Sequence, residues 1–284
     1  MNQQDKPKRL FVTGGTGFIG SHFLNEALAA GHSVYALRRQ NSKPRISLKQ
    51  EPIWVEGDLK SNFQDVLSQC DTVVHIAAHS INPPYDSIEK CLDWNLSASL
   101  KLFQQASAVG IRKFLVAGSC FEYGKSAERY DRIPVSAPLE PTTPYATSKA
   151  AASIVFQGWA TASCVQLKIL RIFQAFGDGD DPKRLWHSLH RAAIAGEDYP
   201  MTLGEHIRDF IPVDGVAQRF VSELNFEDTP AGSPRIKHVG TGKPQTVLAF
   251  SQYWWKQWKA KGMLLPGAVP YRENEVMRFV PECE

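Results

Sequence analysis

The chain has 284 residues, enough to bury a substantial core, and its 43% hydrophobic and 21% charged content is that of a folded protein, which excludes a disordered one. A net charge of +3 is far from the concentrated basic surface of a nucleic-acid binder. Five widely spaced cysteines (Cys70, Cys91, Cys120, Cys164 and Cys283) form no CxxC pair, which argues against a disulfide framework or a zinc site.

The polar start, residues 1–9, runs straight into a strand and leaves no room for a signal-peptide core. No apolar run approaches bilayer length, so a cytoplasmic protein without a membrane partner is expected. Residues 10–12 read as a short strand that breaks at a glycine cluster, and 18–30 as a helix ended by Gly31. Strands follow at 33–37, 53–55 and 72–77 (TVVHIA), then a long helix over 86–109. A strand at 113–117 (KFLVA), a helix over 145–161 and a strand at 165–172 (VQLKILRI) complete the series. Strands that are apolar throughout and separated by helices predict an α/β fold, a doubly wound parallel sheet of Rossmann type.

Beyond residue 172 the rhythm weakens. Glycine, proline and aspartate cluster at 177–182, followed by a helix over 183–195 and short strands. The expected division is a large domain over 1–172 and a smaller, irregular α/β cap over 173–284 for substrate, with 208–224 returning to the large domain. Tyr253, Trp254, Trp255 and Trp258 have helical spacing and read as a core-facing stripe rather than a sugar platform. The eight histidines show no metal-ligand spacing: His187 and His190 share a predicted helical face but lack a third ligand. His79 is placed to face a substrate, although ordinary packing is the simpler reading.

Thr13-Gly14-Gly15-Thr16-Gly17-Phe18-Ile19-Gly20 sets glycines between a strand and a helix. Such a loop makes a tight turn, lets the backbone approach a pyrophosphate without an intervening Cβ, and aims helix N–H groups at the phosphates. A dinucleotide is therefore expected. At the end of the second strand, Leu37-Arg38-Arg39-Gln40 holds no carboxylate for a ribose 2′-hydroxyl, and two arginines suit a 2′-phosphate. The expected cofactor is NADP(H).

Tyr145 and Lys149, four apart in PYATSKAAA, fall on one helix face. A phenol ionises near pH 10, and a neighbouring ammonium is expected to lower that value into a useful range. Ser119 follows the 113–117 strand at its carboxyl end, where open α/β sheets bind ligands, and its hydroxyl can hold a substrate oxygen. Hydride transfer with coupled proton transfer is the implied chemistry.

TGGTGFIG, Asp58 in GDL, HIAA (75–78), GSCFEYG around Ser119, Tyr145 with Lys149, LRIFQAFGDG (170–179) and RDFIPVDGVA (208–217) together resemble the extended short-chain dehydrogenase/reductases, the NAD-dependent epimerase/dehydratase group that acts on nucleotide sugars. The resemblance runs from residue 9 to about residue 217, with a looser match in the tail. It implies that Gly14, Gly17, Phe18 and Ile19 hold the pyrophosphate, Asp58 and Leu59 the adenine, and Ala77 and Ala78 the nicotinamide side. It further implies a Ser119, Tyr145, Lys149 triad, a supporting Asn95, and Arg208 and Arg272 as ligands of the substrate diphosphate. A homodimer through the 86–109 and 145–161 helices is implied by the same analogy.

Departures narrow the expectation. Sugar 4,6-dehydratases carry Asp-Glu directly after the serine, where this chain has Cys120 and Phe121, which argues against dehydration. Those two residues would instead meet the substrate, Cys120 as a small apolar group. Gln174 stands where the group often has a substrate-contacting asparagine. An arginine-lined NADP site favours net reduction of the C4 ketone of a nucleoside-diphosphate 4-keto-6-deoxyhexose, and GTGKPQTV and PYRENEVMRF in the tail resemble the 4-ketoreductases. The alternatives are a C4 epimerase that retains NAD and a non-catalytic NADP-binding redox sensor or scaffold.

Overall fold

Leu10, Phe11 and Val12 are all fully buried, so the strand they form has no solvent face and belongs inside a sheet covered on both sides. The computed structural model, which describes residues 6–273 and 275–283, places it there. In chain order the first half comprises β1 (Arg9–Thr13), α1 (Phe18–Ala29), β2 (Ser33–Arg38), β3 (Ile53–Glu56), α2 (Gln64–Leu67) and β4 (Thr72–His75). It continues with α3 (Ile88–Leu92), α4 (Ser99–Ala108), β5 (Lys113–Ser119), α5 (Pro144–Ala162) and β6 (Gln166–Ile172). The second half comprises β7 (Gln174–Phe176), α6 (Leu185–Ala195), β8 (Tyr199–Met201), β9 (Ile207–Pro212) and α7 (Val213–Ser222). It ends with β10 (Arg235–Val239), β11 (Pro244–Thr246), α8 (Val247–Gln257), β12 (Leu264–Pro266) and β13 (Arg278–Phe279).

Seven strands form one parallel sheet in the order β10-β6-β5-β4-β1-β2-β3. One face is covered by α1 and α7 through Phe23, Leu24, Val216 and Phe220, the other by α4 and α5 through Leu102, Phe103, Ala152 and Phe156. Strand order reverses between β1 and β4, which opens a crevice at their carboxyl ends. Within 208–224, α7 packs with α1 against the seven-stranded sheet, whereas β9 pairs with β7, β11 and β13 in a separate four-stranded sheet. β10, from the half expected to be cap, adds the seventh strand at the sheet edge beside β6.

The long helix expected over 86–109 is not continuous. Between α3 and α4 the chain widens into a π-helical turn at Asp93–Ala98, which re-aims Asn95 toward the crevice. In the cap, α6 and α8 pack through Trp186, Trp254 and Trp258, while Phe210 and Phe250 stack at 3.9 Å. The aromatic stripe is thus mostly inward, with Tyr253 turned out to solvent.

Candidate active site

Strand β1 ends at Thr13 and the chain must turn at once to enter α1. Gly14 makes that turn with φ +77°, and a Cβ on it would lie 2.5 Å from the Ala77 nitrogen beyond β4. A Cβ on Gly20 would overlap the Gly14 carbonyl oxygen and lie 2.7 Å from its carbon, and one on Gly17 would lie 3.2 Å from the same oxygen. The loop therefore packs backbone on backbone, closed by the Gly17 N–H donating to the Gly14 carbonyl at 2.9 Å. No side chain caps α1, so the N–H groups of its first turn and the positive end of its dipole are left for an anion. This cradle fits a dinucleotide pyrophosphate.

A cleft of about 610 Å³ extends from this loop in both directions. Toward β2 it is lined by Arg38, Arg39, Arg45, Asp58 and Leu59, and Ala77 and Ala78 form its middle. The Arg38 guanidinium lies 4.9 Å over the Trp54 ring and donates to Glu56 at 3.3 Å, but its Nε is buried without a partner among the described residues. That nitrogen is a donor available to an oxygen at the ribose end. Arg39 and Arg45 are exposed on the rim.

Ser119, Tyr145 and Lys149 meet at the other end of the cleft. Ser119 is the last residue of β5, and Tyr145 and Lys149 stand on the first turns of α5, which starts at Thr143 and Pro144. The Thr143 hydroxyl accepts from the Ala146 N–H at 3.2 Å, fixing where the helix begins and hence where Tyr145 points. Burial pushes the Tyr145 phenol above its ordinary value, and a hydrogen bond with Ser119 pulls the other way. Burial also lowers the Lys149 ammonium, against the charge of Glu122. The expected depression of the tyrosine pKa by Lys149 is thus corrected: Lys149 Nζ donates to the Ala117 carbonyl at 2.7 Å, and dehydration of the phenol dominates.

Asn95 joins the two halves of the site. Its Oδ1 accepts from the His79 N–H at 2.7 Å, and its Nδ2 donates to the His79 carbonyl at 3.2 Å and to Ser148 at 2.9 Å. Behind the sheet end, His75 is fully buried against Thr13 at 2.8 Å; burial, assisted by the Lys149 charge, lowers its imidazolium to about 3.

The expected substrate residues divide. Phe121 and Gln174 line the cleft. Cys120 does not: it is buried in a small apolar cluster with Tyr123, Phe173 and Phe279, where burial pushes its thiol up to about 12. Arg208 is also absent from the lining, because the tail captures it. Its guanidinium donates to the Val276 carbonyl at 2.7 Å and to Glu275 at 3.3 Å, and lies 5.3 Å over Phe279. Arg272 is exposed and outside the lining. The cleft holds instead Arg184, at the start of α6, whose Nη1 donates to the buried Asp180 at 3.1 Å. Sequence reading passed over this pair, since DGDDPKR signals only a turn and a helix start. His79 does line the cleft, with its Nε2 3.0 Å from Asp86.

The model of the NAD dependent epimerase/dehydratase family matches residues 10–233. The chain belongs to that family. Over 96% of its length it is 26% identical to the UDP-glucose 4-epimerase of Neisseria meningitidis serogroup C, covering 88% of that protein. Among solved structures it resembles an NAD-dependent NDP-hexosamine 5,6-dehydratase involved in tunicamycin biosynthesis, with a TM-score of 0.84, 26% identity and 96% and 88% of the two chains covered. It also resembles MoeE5 in complex with UDP-glucuronic acid and NAD, with a TM-score of 0.81, 25% identity and 97% and 90% covered. An epimerase/dehydratase enzyme of the nucleotide-sugar class accounts for the Rossmann-type sheet, the glycine cradle and the bipartite cleft together. Among the described residues no helix is long and apolar enough to cross a membrane, and no cluster of three metal-ligating side chains occurs.

Proposed function

We propose that this epimerase/dehydratase-family enzyme oxidises and re-reduces C4 of a nucleoside-diphosphate sugar, with 4-epimerisation as the net reaction. The observation that carries the reading is the meeting of Ser119, Tyr145 and Lys149 in the same cleft as the glycine cradle. Gly14, Gly17, Phe18 and Ile19 would hold the pyrophosphate, Asp58 and Leu59 the adenine, and Ala77 and Ala78 the nicotinamide side. When bound, the dinucleotide exchanges a hydride with the sugar carbon. Tyr145, as the phenolate, takes the proton of the C4 hydroxyl as the ketone forms and returns it afterwards, while Ser119 holds the same oxygen. The Ser119 hydrogen bond and the Arg184 charge favour the Tyr145 phenolate against its burial. Cys120, with its thiol near 12, holds its proton at neutral pH and does not serve as the acid or base.

The similarity to a 4-epimerase along 96% of the chain favours isomerisation over the net reduction that the arginine pair suggested, and Arg38 is already engaged by Trp54 and Glu56. Reduction of a 4-keto-6-deoxyhexose by NADPH stands as the second reading, favoured by the exposed guanidiniums of Arg39 and Arg45 on the cleft rim. For the substrate diphosphate we assign Arg184 in place of Arg208, because Arg184 faces the cleft. A homodimer through α5, whose Ile154 and Val155 are exposed, belongs to the same proposal.

One preparation separates the readings. Purified protein is denatured and the released dinucleotide identified; the native protein is then given UDP-sugars or NADPH with a 4-keto sugar nucleotide. Stoichiometric NAD and a C4 isomer formed without net cofactor use support epimerisation. Protein that carries no dinucleotide, leaves UDP-sugars unchanged and consumes NADPH overturns it in favour of the reductase.

A further inference from the structure

The residue three places after Ser119 is a glutamate with no exposed surface, an arrangement that needs a reason, because a buried carboxylate is costly unless fully satisfied. Glu122 is satisfied from three directions. Its Oε1 accepts the Ser119 backbone N–H at 2.8 Å, closing a capping box in which the Ser119 hydroxyl accepts from the turn Cys120–Glu122. Its Oε2 accepts from the Ser153 hydroxyl of α5 at 2.8 Å and from Arg171 Nε of β6 at 2.9 Å. The arginine is itself held by the Tyr123 hydroxyl at 2.7 Å and the Val135 carbonyl at 3.1 Å. Gly118 makes room for this, since a Cβ there would meet Glu122 Oε1 at 3.0 Å.

We propose that Glu122 is a positioning residue: its carboxylate, paired with Arg171, ties the backbone of Ser119 on β5 to the helix that carries Tyr145 and Lys149, and so sets the spacing of the two hydroxyls that share the sugar oxygen. Two elements, β5 and α5, carry the trio, and a single buried side chain bonds both and ties them to β6. Ser153 stands one turn beyond Lys149, so the grip on α5 is applied next to the catalytic residues and on the buried side of the helix. Glu122 lies outside the cleft lining, so it touches neither substrate nor cofactor and acts only through Ser119 and α5. Its charge is also felt in the site, where it opposes ionisation of Tyr145 and favours the ammonium of Lys149. The other groups facing Tyr145 are Ser119 and Cys120 from the β5 end, Lys149 from its own helix and Arg184 from α6.

This inference rests on Ser119 and Tyr145 handling the sugar oxygen, so the experiment begins with Tyr145→Phe. If that variant turns over at the wild-type rate, the functional reading fails and the positioning role fails with it. Given an inactive Tyr145→Phe, steady-state kinetics against pH are compared for wild type, Glu122→Gln and the double variant Glu122→Leu/Arg171→Met. The double variant removes both buried charges together, so that neither is left unpaired. It is expected to lose about 100-fold in kcat with KM within about threefold, as misplacement of a reacting group by an ångström does. Glu122→Gln keeps an acceptor for the Ser119 N–H. It is expected to fall only about tenfold, and its alkaline-favoured limb of kcat moves to lower pH because a charge opposing the phenolate is gone. A wild-type kcat in both variants, with an unmoved pH limb and only a lower unfolding temperature, makes Glu122 a structural ion pair and overturns the proposal.

Discussion

Replacing Gly20 by alanine tests the cofactor cradle at its tightest point. The added Cβ would overlap the Gly14 carbonyl oxygen and lie 2.7 Å from the Gly14 carbonyl carbon and 2.9 Å from Gly15 Cα. All three are backbone atoms, so no rotamer change relieves the contact. Restoring separations of about 3.5–4 Å requires α1 and the Gly14 turn to part by about 1–2 Å. Overpacking of that kind costs about 1–3 kcal/mol. The parting displaces the N–H groups proposed to hold the phosphates, so the cost is expected in dinucleotide affinity as about a 5- to 150-fold rise in Kd at 1.4 kcal/mol per tenfold. Isothermal titration of NAD and NADP into protein stripped of nucleotide measures it, with Gly31→Ala as control. Gly31 has φ +84° but nothing within 4 Å of its Cβ position, so its replacement is expected to lower stability without touching affinity. A Gly20→Ala protein that binds dinucleotide as tightly as wild type refutes the backbone-on-backbone account.

Two further outcomes follow from buried charge. His75 is neutral in the fold because burial lowers it to about 3, whereas the unfolded chain takes up a proton near 6.5. The unfolded state therefore binds more protons between those values, and stability from this group is complete above pH 6.5 and lost toward pH 3 by about 1.4 kcal/mol per unit. Urea midpoints against pH should show a shallower acid slope in His75→Gln; an unchanged slope removes His75 from the account. Lys168, buried in β6, donates to Glu223 at 2.8 Å and lies 2.7 Å from Asp228. Although burial raises the Glu223 carboxyl, hydrogen bonds from Lys168 and Lys237 outweigh it and hold it below the usual range. Lys168→Met strands a buried carboxylate and is expected to cost about 3 kcal/mol in urea unfolding, the low end for such a cut because Lys237 remains; a loss under about 1 kcal/mol contradicts the pairing.

Much of the site was legible because its signals are local. TGGTGFIG states a turn that only glycine allows, and four-residue spacing puts Tyr145 and Lys149 on one face of any helix they join. Ser119 could be placed because the strand preceding it is apolar throughout. The misreadings lie where distant segments compete for one side chain. Arg208 looks free in RDFIPVDGVA, yet Glu275 and Val276, 67 and 68 positions later, bind it. Cys120 sits beside Ser119 in sequence but points into a cluster closed by Phe279. The break in the 86–109 helix leaves no mark in composition, because a π-turn uses ordinary helix formers.

The sequence by itself determined the parallel sheet, the glycine turn and the shared helix face of Tyr145 and Lys149, since each is written in short-range pattern: apolar strands, glycine spacing and helical periodicity. Tertiary structure alone decided which charges face the cleft. Arg184 reaches it and Arg208 does not, Lys149 bonds the Ala117 carbonyl, and Glu122 is bound by residues 49 positions apart from it and nearer. A buried charge must find its partner wherever the chain brings one, and that partner is set by the packing of whole elements rather than by neighbours in sequence.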